Sequence, residues 1–256
     1  MAVAVRTVSA EDVVRDAMPA TPSEQKAWLQ DATASVRRHG AIIVRNAIPA
    51  EVVNAVLEDF KVRHDVHMAS GQKALYRRFQ DDPLRAQVPI AIDGSVANPA
   101  FFAAPSILAI VKEMMGEELI IGEMGVVISH PGAGPQILHR DSNFLFGGLD
   151  SEIDLPPFAM TLLIDARVFH RGGANVSGPV RPTVYFSFHR RWYVENPGYE
   201  RKPQVRVTPA MLERLPQIYR PLFAWALHLN RTDSFSEFAY RWTGRVRGRL
   251  LRLKRA

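Results

Sequence analysis

The stretch from Ile164 to Phe188, IDARVFHRGGANVSGPVRPTVYFSF, constrains this chain more than any other. It alternates like a strand, breaks at a Gly/Asn/Ser/Pro cluster, and alternates again from Val180, a pattern that predicts an antiparallel strand pair. His170 closes the first strand and Arg181 opens the second. Upstream, Gln136 to Asp141 reads QILHRD and adds His139 and Asp141 to the side chains that could carry chemistry.

In a strand, residues i and i+2 project on one face, so His139 and Asp141 present an imidazole and a carboxylate together while Arg140 points away. A lone His-x-Asp is a weak motif, and a chain with eight histidines can contain one by chance. Position strengthens it here, because it follows a strand-like run and a Gly/Pro turn. A second His at the end of another strand would complete two histidines and one carboxylate on one face of a metal. That donor set is diagnostic of non-haem Fe(II) oxygenases, whose open positions take a keto acid and O2. In the second predicted strand Arg181, Thr183, Tyr185 and Ser187 share a polar face, and Pro182, Val184, Phe186 and Phe188 the opposite one. Arg181 is then either a bidentate clamp for the far carboxylate of a dicarboxylic keto acid or a salt-bridging residue at a strand start.

The chain has no cysteine, which excludes a disulfide scaffold, a Cys-ligated zinc, an iron–sulfur cluster and a thiol nucleophile. Any metal has to be held by His and carboxylate. No apolar run has the length of a signal peptide core or a membrane span, so a soluble, cytoplasmic protein is expected. A net charge of +6 favours acidic partners without choosing among them.

One domain is expected over residues 1–256, with 1–20 as a leader, 21–207 as helices plus a β core, and 208–256 as a helical basic extension. Thr21-Pro22-Ser23-Glu24 is a capping box opening a helix that ends at His39 before Gly40. Its apolar positions Trp28, Ala32 and Val36 recur every four residues. Ala41 to Val44 predicts a buried strand. Pro49 starts a second helix with Val52, Val53, Val56, Leu57 and Phe60 on one face, and Pro105 to Met115 predicts a third, with Ile107, Leu108, Val111 and Met115 buried. Between them residues 65–104 read as a long irregular connection, which carries function or conceals short elements. Glu118 to Ser129 predicts one or two strands, and Ser142 to Pro157 a loop.

Taken together, His139-x-Asp141, His170 in the setting RVFHRGGANVSG, and Arg181 eleven positions later resemble the phytanoyl-CoA dioxygenase family of Fe(II)/2-oxoglutarate-dependent oxygenases. The block RRHGAIIVRNAIPAEVVNAVLEDF is similar to that family's opening helix, strand and helix. The resemblance spans roughly residues 25–190. It implies that His139, Asp141 and His170 bind iron, that Arg181 and its neighbour Thr183 hold 2-oxoglutarate, and that the partners are O2 and a small organic molecule or acyl thioester, which is hydroxylated. The implied fold is α+β, a double-stranded β-helix (jelly roll, cupin-like) with flanking helices. Four strands separate the iron motif from the distal His in that fold, which takes roughly 30–40 residues. Only 28 residues, 142–169, lie between them here, so a jelly roll shortened near Met160 to Leu163 is expected. The competing expectation is a catalytically degenerate jelly-roll protein with a binding role.

Other candidates carry less. His64 and His67 fit an exposed helix end, His130, His189 and His228 structural positions, and Tyr76, Arg77, Arg78 and Phe79 a surface loop. Residues 241–255 hold seven Arg or Lys, with Trp242, Val246, Leu250 and Leu253 near one helical face. That pattern fits a terminal helix docked on its own domain, ahead of peripheral contact with anionic lipid. No nucleic-acid module accompanies the charge, so no nucleic acid is expected as partner. Substrate identity and oligomeric state are not written in these patterns.

Overall fold

The computed structural model describes residues 6–7, 10–68, 82–141, 151–152, 161–190, 205 and 207–227. Over these the chain runs β1 (Arg6–Thr7), α1 (Ala10–Val13), β2 (Val14–Asp16), α2 (Pro22–His39), β3 (Ala41–Arg45), α3 (Ala50–Arg63), α4 (Asp65–Met68), β4 (Arg85–Pro89), α5 (Pro99–Phe102), α6 (Pro105–Met115), β5 (Leu119–Ser129), β6 (Ser151–Glu152), β7 (Thr161–Ile164), β8 (Arg181–Arg190), α7 (Pro209–Arg214) and α8 (Pro221–Ala224). The architecture is mixed α+β. Its strands form a β1-β6 pair and two three-stranded sheets, β2-β3-β7 and β4-β5-β8. No helix among the described residues is long and apolar enough to cross a membrane.

Helix α2 stops where its sequence says it should. Gly40 takes the left-handed conformation at φ 77° and donates its N–H to the Val36 carbonyl, a conformation that costs a residue with a Cβ about 1–2 kcal/mol. Its start differs from a capping box, because the Thr21 hydroxyl bonds the Glu24 carboxylate and caps no backbone N–H. The turn at Gly40 feeds β3, whose first four residues are buried. Helix α3 buries Val56 and Phe60, while Val53, expected on that face, is exposed. In α6 the fully buried residue is Ile110.

Strand β5 is the axis of the larger sheet, paired antiparallel with β4 on one side and β8 on the other. Nearly every residue in it is buried, as expected of a strand covered on both faces. Met124, Val126 and Ile128 join Ala86 and Val88 of β4 and Val184, Phe186 and Phe188 of β8 in the main core. Phe101 of α5 meets Phe186 edge-on, and Phe102 meets Phe223 of α8 edge-on with centroids 5.2 Å apart. Such an aromatic pair adds about 0.5–1.5 kcal/mol beyond its burial.

Three expectations are corrected. The stretch Ile164 to Phe188 is not a strand pair. Its first half ends β7, which pairs with β3, and its second half is β8, which pairs with β5. Asn175, 1% exposed, explains the crossing, since its amide donates to the carbonyls of Ser129 and Pro179 and pins the Gly/Asn/Ser/Pro cluster across the end of β5. Residues 10–16 are part of the fold rather than a leader, with Val14 to Asp16 forming a parallel third strand beside β3. Ser151–Glu152 is strand within the expected loop, whereas the long connection conceals β4 and α5 in keeping with its reading as cover for short elements.

Candidate metal centre

The two histidines meet through the main chain. His139 and His170 form an antiparallel bridge in which each N–H donates to the other's carbonyl, at 2.9 and 2.8 Å. The pairing extends along both segments, through Gln136 to Gly172, Asp141 to Ala166 and Asn175 to Ala133. Gln136 adds its side chain, accepting the Gly172 N–H at 2.6 Å. A Cβ at position 172 would lie 2.4 Å from the Gln136 Oε1, so a side chain there would push the Gln136 amide off this bond. Beneath the bridge Val168 is fully buried against Ala41 and Ile164, which anchors the backbone that delivers His170.

Side chains follow from that frame. The His139 and His170 rings lie 4.6 Å apart. Each Nδ1 faces the carbonyl two residues back, Ile137 for His139 at 2.7 Å and Val168 for His170 at 3.1 Å. A carbonyl can only accept, so both protons sit on Nδ1 and both Nε2 atoms are the donor ends for a metal. These Nε2 atoms converge on one carboxylate, His139 at 3.6 Å from Asp141 Oδ1 and His170 at 3.4 Å from Oδ2. Arg140 turns the other way and stacks over the Phe169 ring at 4.3 Å. One ligand atom from each of His139, Asp141 and His170 lies within 4.8 Å of the others. Burial pushes the His170 imidazole down in pKa, but the bond to Asp141, its charge and the Val168 carbonyl together raise it.

A tight turn joins β7 to this site. Asp165 accepts from the Arg167 backbone N–H at 3.0 Å and from its Nε at 2.9 Å, and its own N–H donates to the Gly40 carbonyl. Burial raises the Asp165 pKa, and the Arg167 hydrogen bonds and charge more than offset it, leaving it lowered. A depressed carboxylate stabilises the fold fully above its unfolded value, about 3.9, and loses that contribution as pH falls through the folded value. Acid titration of unfolding should show wild type more stable than Asp165→Asn at neutral pH, with the gap closing only below about pH 4. A gap independent of pH would refute the assignment.

Arg181 opens β8 as expected, with its guanidinium on the loop that follows His170, donating to the Gly173 carbonyl at 2.7 Å and to Ala174 at 3.3 Å. Thr183 is exposed beside it on the same sheet face. Tyr185 continues that face, crossing β5 at Gly125, where a Cβ would lie 2.5 Å from its hydroxyl, to reach Gln87. Sequence reasoning missed Arg85, Gln136 and Asn175, whose side chains hold the two ligand segments. The signal for Arg85 was the short alternation Arg-Ala-Gln-Val inside the long connection. Of the weaker candidates, His130 and His189 are buried, and His64 stacks on Phe60. The His67 side chain, His228, the residues from Tyr76 to Phe79 and the basic segment 241–255 lie outside the described residues.

The family model for phytanoyl-CoA dioxygenase matches residues 36–160, from the end of α2 through the His139-Arg140-Asp141 motif. Over that stretch the chain is similar to the phytanoyl-CoA dioxygenase family. That similarity implies Fe(II) and 2-oxoglutarate as metal and co-substrate, with O2 and a small molecule as reaction partners. No curated protein matches the chain. Among solved structures it is similar to the non-haem α-ketoglutarate-dependent epimerase SnoN from nogalamycin biosynthesis, at 16% identity and a TM-score of 0.44 over 64% of this chain and 83% of that one. The residues present fit iron: two imidazoles with their second nitrogens fixed by carbonyls and one carboxylate beside them would offer N, N and O donors to one ion.

Proposed function

We propose that this chain is an Fe(II)/2-oxoglutarate-dependent dioxygenase of the phytanoyl-CoA dioxygenase kind that hydroxylates a small organic molecule or an acyl thioester. His139, Asp141 and His170 would hold the iron, and Arg181, with Thr183 beside it, the distal carboxylate of 2-oxoglutarate. The observation that carries the reading is the convergence of both Nε2 atoms on Asp141 with each Nδ1 already committed to a carbonyl.

Iron(II) with its co-substrate would activate O2, the oxidant of the reaction, which no side chain of the protein can do. The protein's share is geometry. The carbonyls of Ile137 and Val168 keep the imidazoles in one tautomer and one orientation, so no reorganisation is needed when the ion arrives. Arg181 offers a planar fork to a carboxylate, which sets both the position and the length of the keto acid accepted. The match to the family model stops at residue 160, just before β7, and this supports a jelly roll shortened between the iron motif and the distal histidine.

Anaerobic addition of Fe(II) and then 2-oxoglutarate should produce the weak visible charge-transfer band of the chelate, and admission of air should yield succinate. Neither band nor succinate would support the degenerate binding protein instead.

A further inference from the structure

One cross-strand row of the larger sheet contains two arginines. Arg85 of β4 stands opposite Ser129 of β5, which stands opposite Arg181 of β8. Arg85 is 2% exposed. Its guanidinium donates to the Ser129 hydroxyl at 2.8 Å, to the Gly173 carbonyl at 2.8 Å and to the Gly134 carbonyl, with the Asp82 carboxylate 3.3 Å from its Nε.

These acceptors belong to two separate turns. Gly134 lies in the turn that delivers the chain to His139, and Gly173 lies three residues past His170. A single buried side chain therefore ties both ligand-bearing segments to the end of the sheet. It shares the Gly173 carbonyl with Arg181, so the position of Arg181 is set from the same point. Burying a guanidinium next to another is costly, and ordinary turn-bracing needs only neutral donors. The fork of Arg85 supplies what a neutral side chain lacks, several donors in fixed directions spanning two carbonyls and a hydroxyl.

We propose that Arg85 is a positioning residue for the centre, fixing the spacing of His139 and His170 and the placement of Arg181 through the Gly134 and Gly173 carbonyls. The inference rests on the ligand set given under the proposed function. Loss of a contact that supports a metal ligand weakens metal affinity about 10- to 100-fold. Arg85 acts through the backbone, so the lower end applies.

The test is Co(II) titration of the whole chain, read by the visible absorption of the bound ion, on wild type and on Arg85→Gln, Arg85→Lys, Gln87→Ala and His170→Ala. Gln87 shares the strand and face of Arg85 but bonds Tyr185. Expected are about tenfold weaker Co(II) binding for both Arg85 variants, with cooperative unfolding retained, and an unchanged affinity for Gln87→Ala. Wild-type affinity in either folded Arg85 variant would overturn the proposal while leaving the ligand set standing. Equal weakening by Gln87→Ala, or failure of both Arg85 variants to fold when Gln87→Ala folds, would also overturn it, since either marks a general structural role. Wild type that binds no better than His170→Ala would overturn the ligand set itself, and this proposal with it.

Discussion

His170→Ala should bind Fe(II) or Co(II) more than about 100-fold more weakly than wild type, beyond the upper range seen when only a supporting contact is lost. In the proposed site the imidazole is a direct donor, and its removal would leave His139 and Asp141, two donors too few in number to hold a divalent ion against water. The fold should survive the change. What His170 contributes to structure is its main chain, bonded both ways to His139, with the buried anchor two residues earlier at Val168. The side-chain partner left behind, Asp141, is 54% exposed and can hydrate. The stability cost from losing that pairing should stay within about 1 kcal/mol, the range of exposed ion pairs. Metal titration with thermal unfolding on the same sample separates the two effects. Undiminished affinity would remove His170 from the ligand set.

Arg181→Met should spare metal binding and weaken 2-oxoglutarate selectively. Truncating one side of a hydrogen-bonded charge pair costs about 2–5 kcal/mol, which is roughly 30-fold or more in affinity at 1.4 kcal/mol per decade. The Gly173 turn keeps a donor in Arg85 when Arg181 is lost, so the metal ligands stay in place. Arg181→Lys should be intermediate, since it keeps the charge and loses the fork. Pyruvate, which lacks the distal carboxylate, gives the sharper comparison. Wild type should discriminate strongly between the two keto acids and Arg181→Met hardly at all, measured by competition for the metal-loaded protein. Equal discrimination by both would leave Arg181 as a residue that only pins the loop at a strand start.

Local signals were legible in the sequence, and long-range partnerships were not. The proline start and glycine stop of α2, the buried run of β3 and the Pro105 helix are written in neighbouring residues, and each was found within a residue or two. The His-x-Asp spacing likewise predicted that His139 and Asp141 share a face, because a period of two is a property of the backbone. Which strand neighbours which depends on side chains far apart in sequence. The two halves of Ile164 to Phe188 look like a hairpin until buried Asn175 is seen holding the chain between them on the Ser129 carbonyl. Strand β4 went unread because only five residues carry its alternation and Pro89 ends it. Arg85 therefore looked like a charge in a loop, although it is among the most buried side chains of the chain. Sequence gives little sign that a charge is buried when most of its partners are distant, and here only the Asp82 carboxylate is a sequence neighbour, the others being two carbonyls and a hydroxyl.

The reciprocal bridge between His139 and His170 has a kinetic consequence. Each amide proton is held by the other residue's carbonyl, so neither can reach solvent until both bonds open in a single local event. The two amides should therefore exchange with deuterium at a common rate in the metal-free protein. A bound ion spanning the imidazoles would slow both together, making these two protons a built-in clock for how often the ligand pair comes apart.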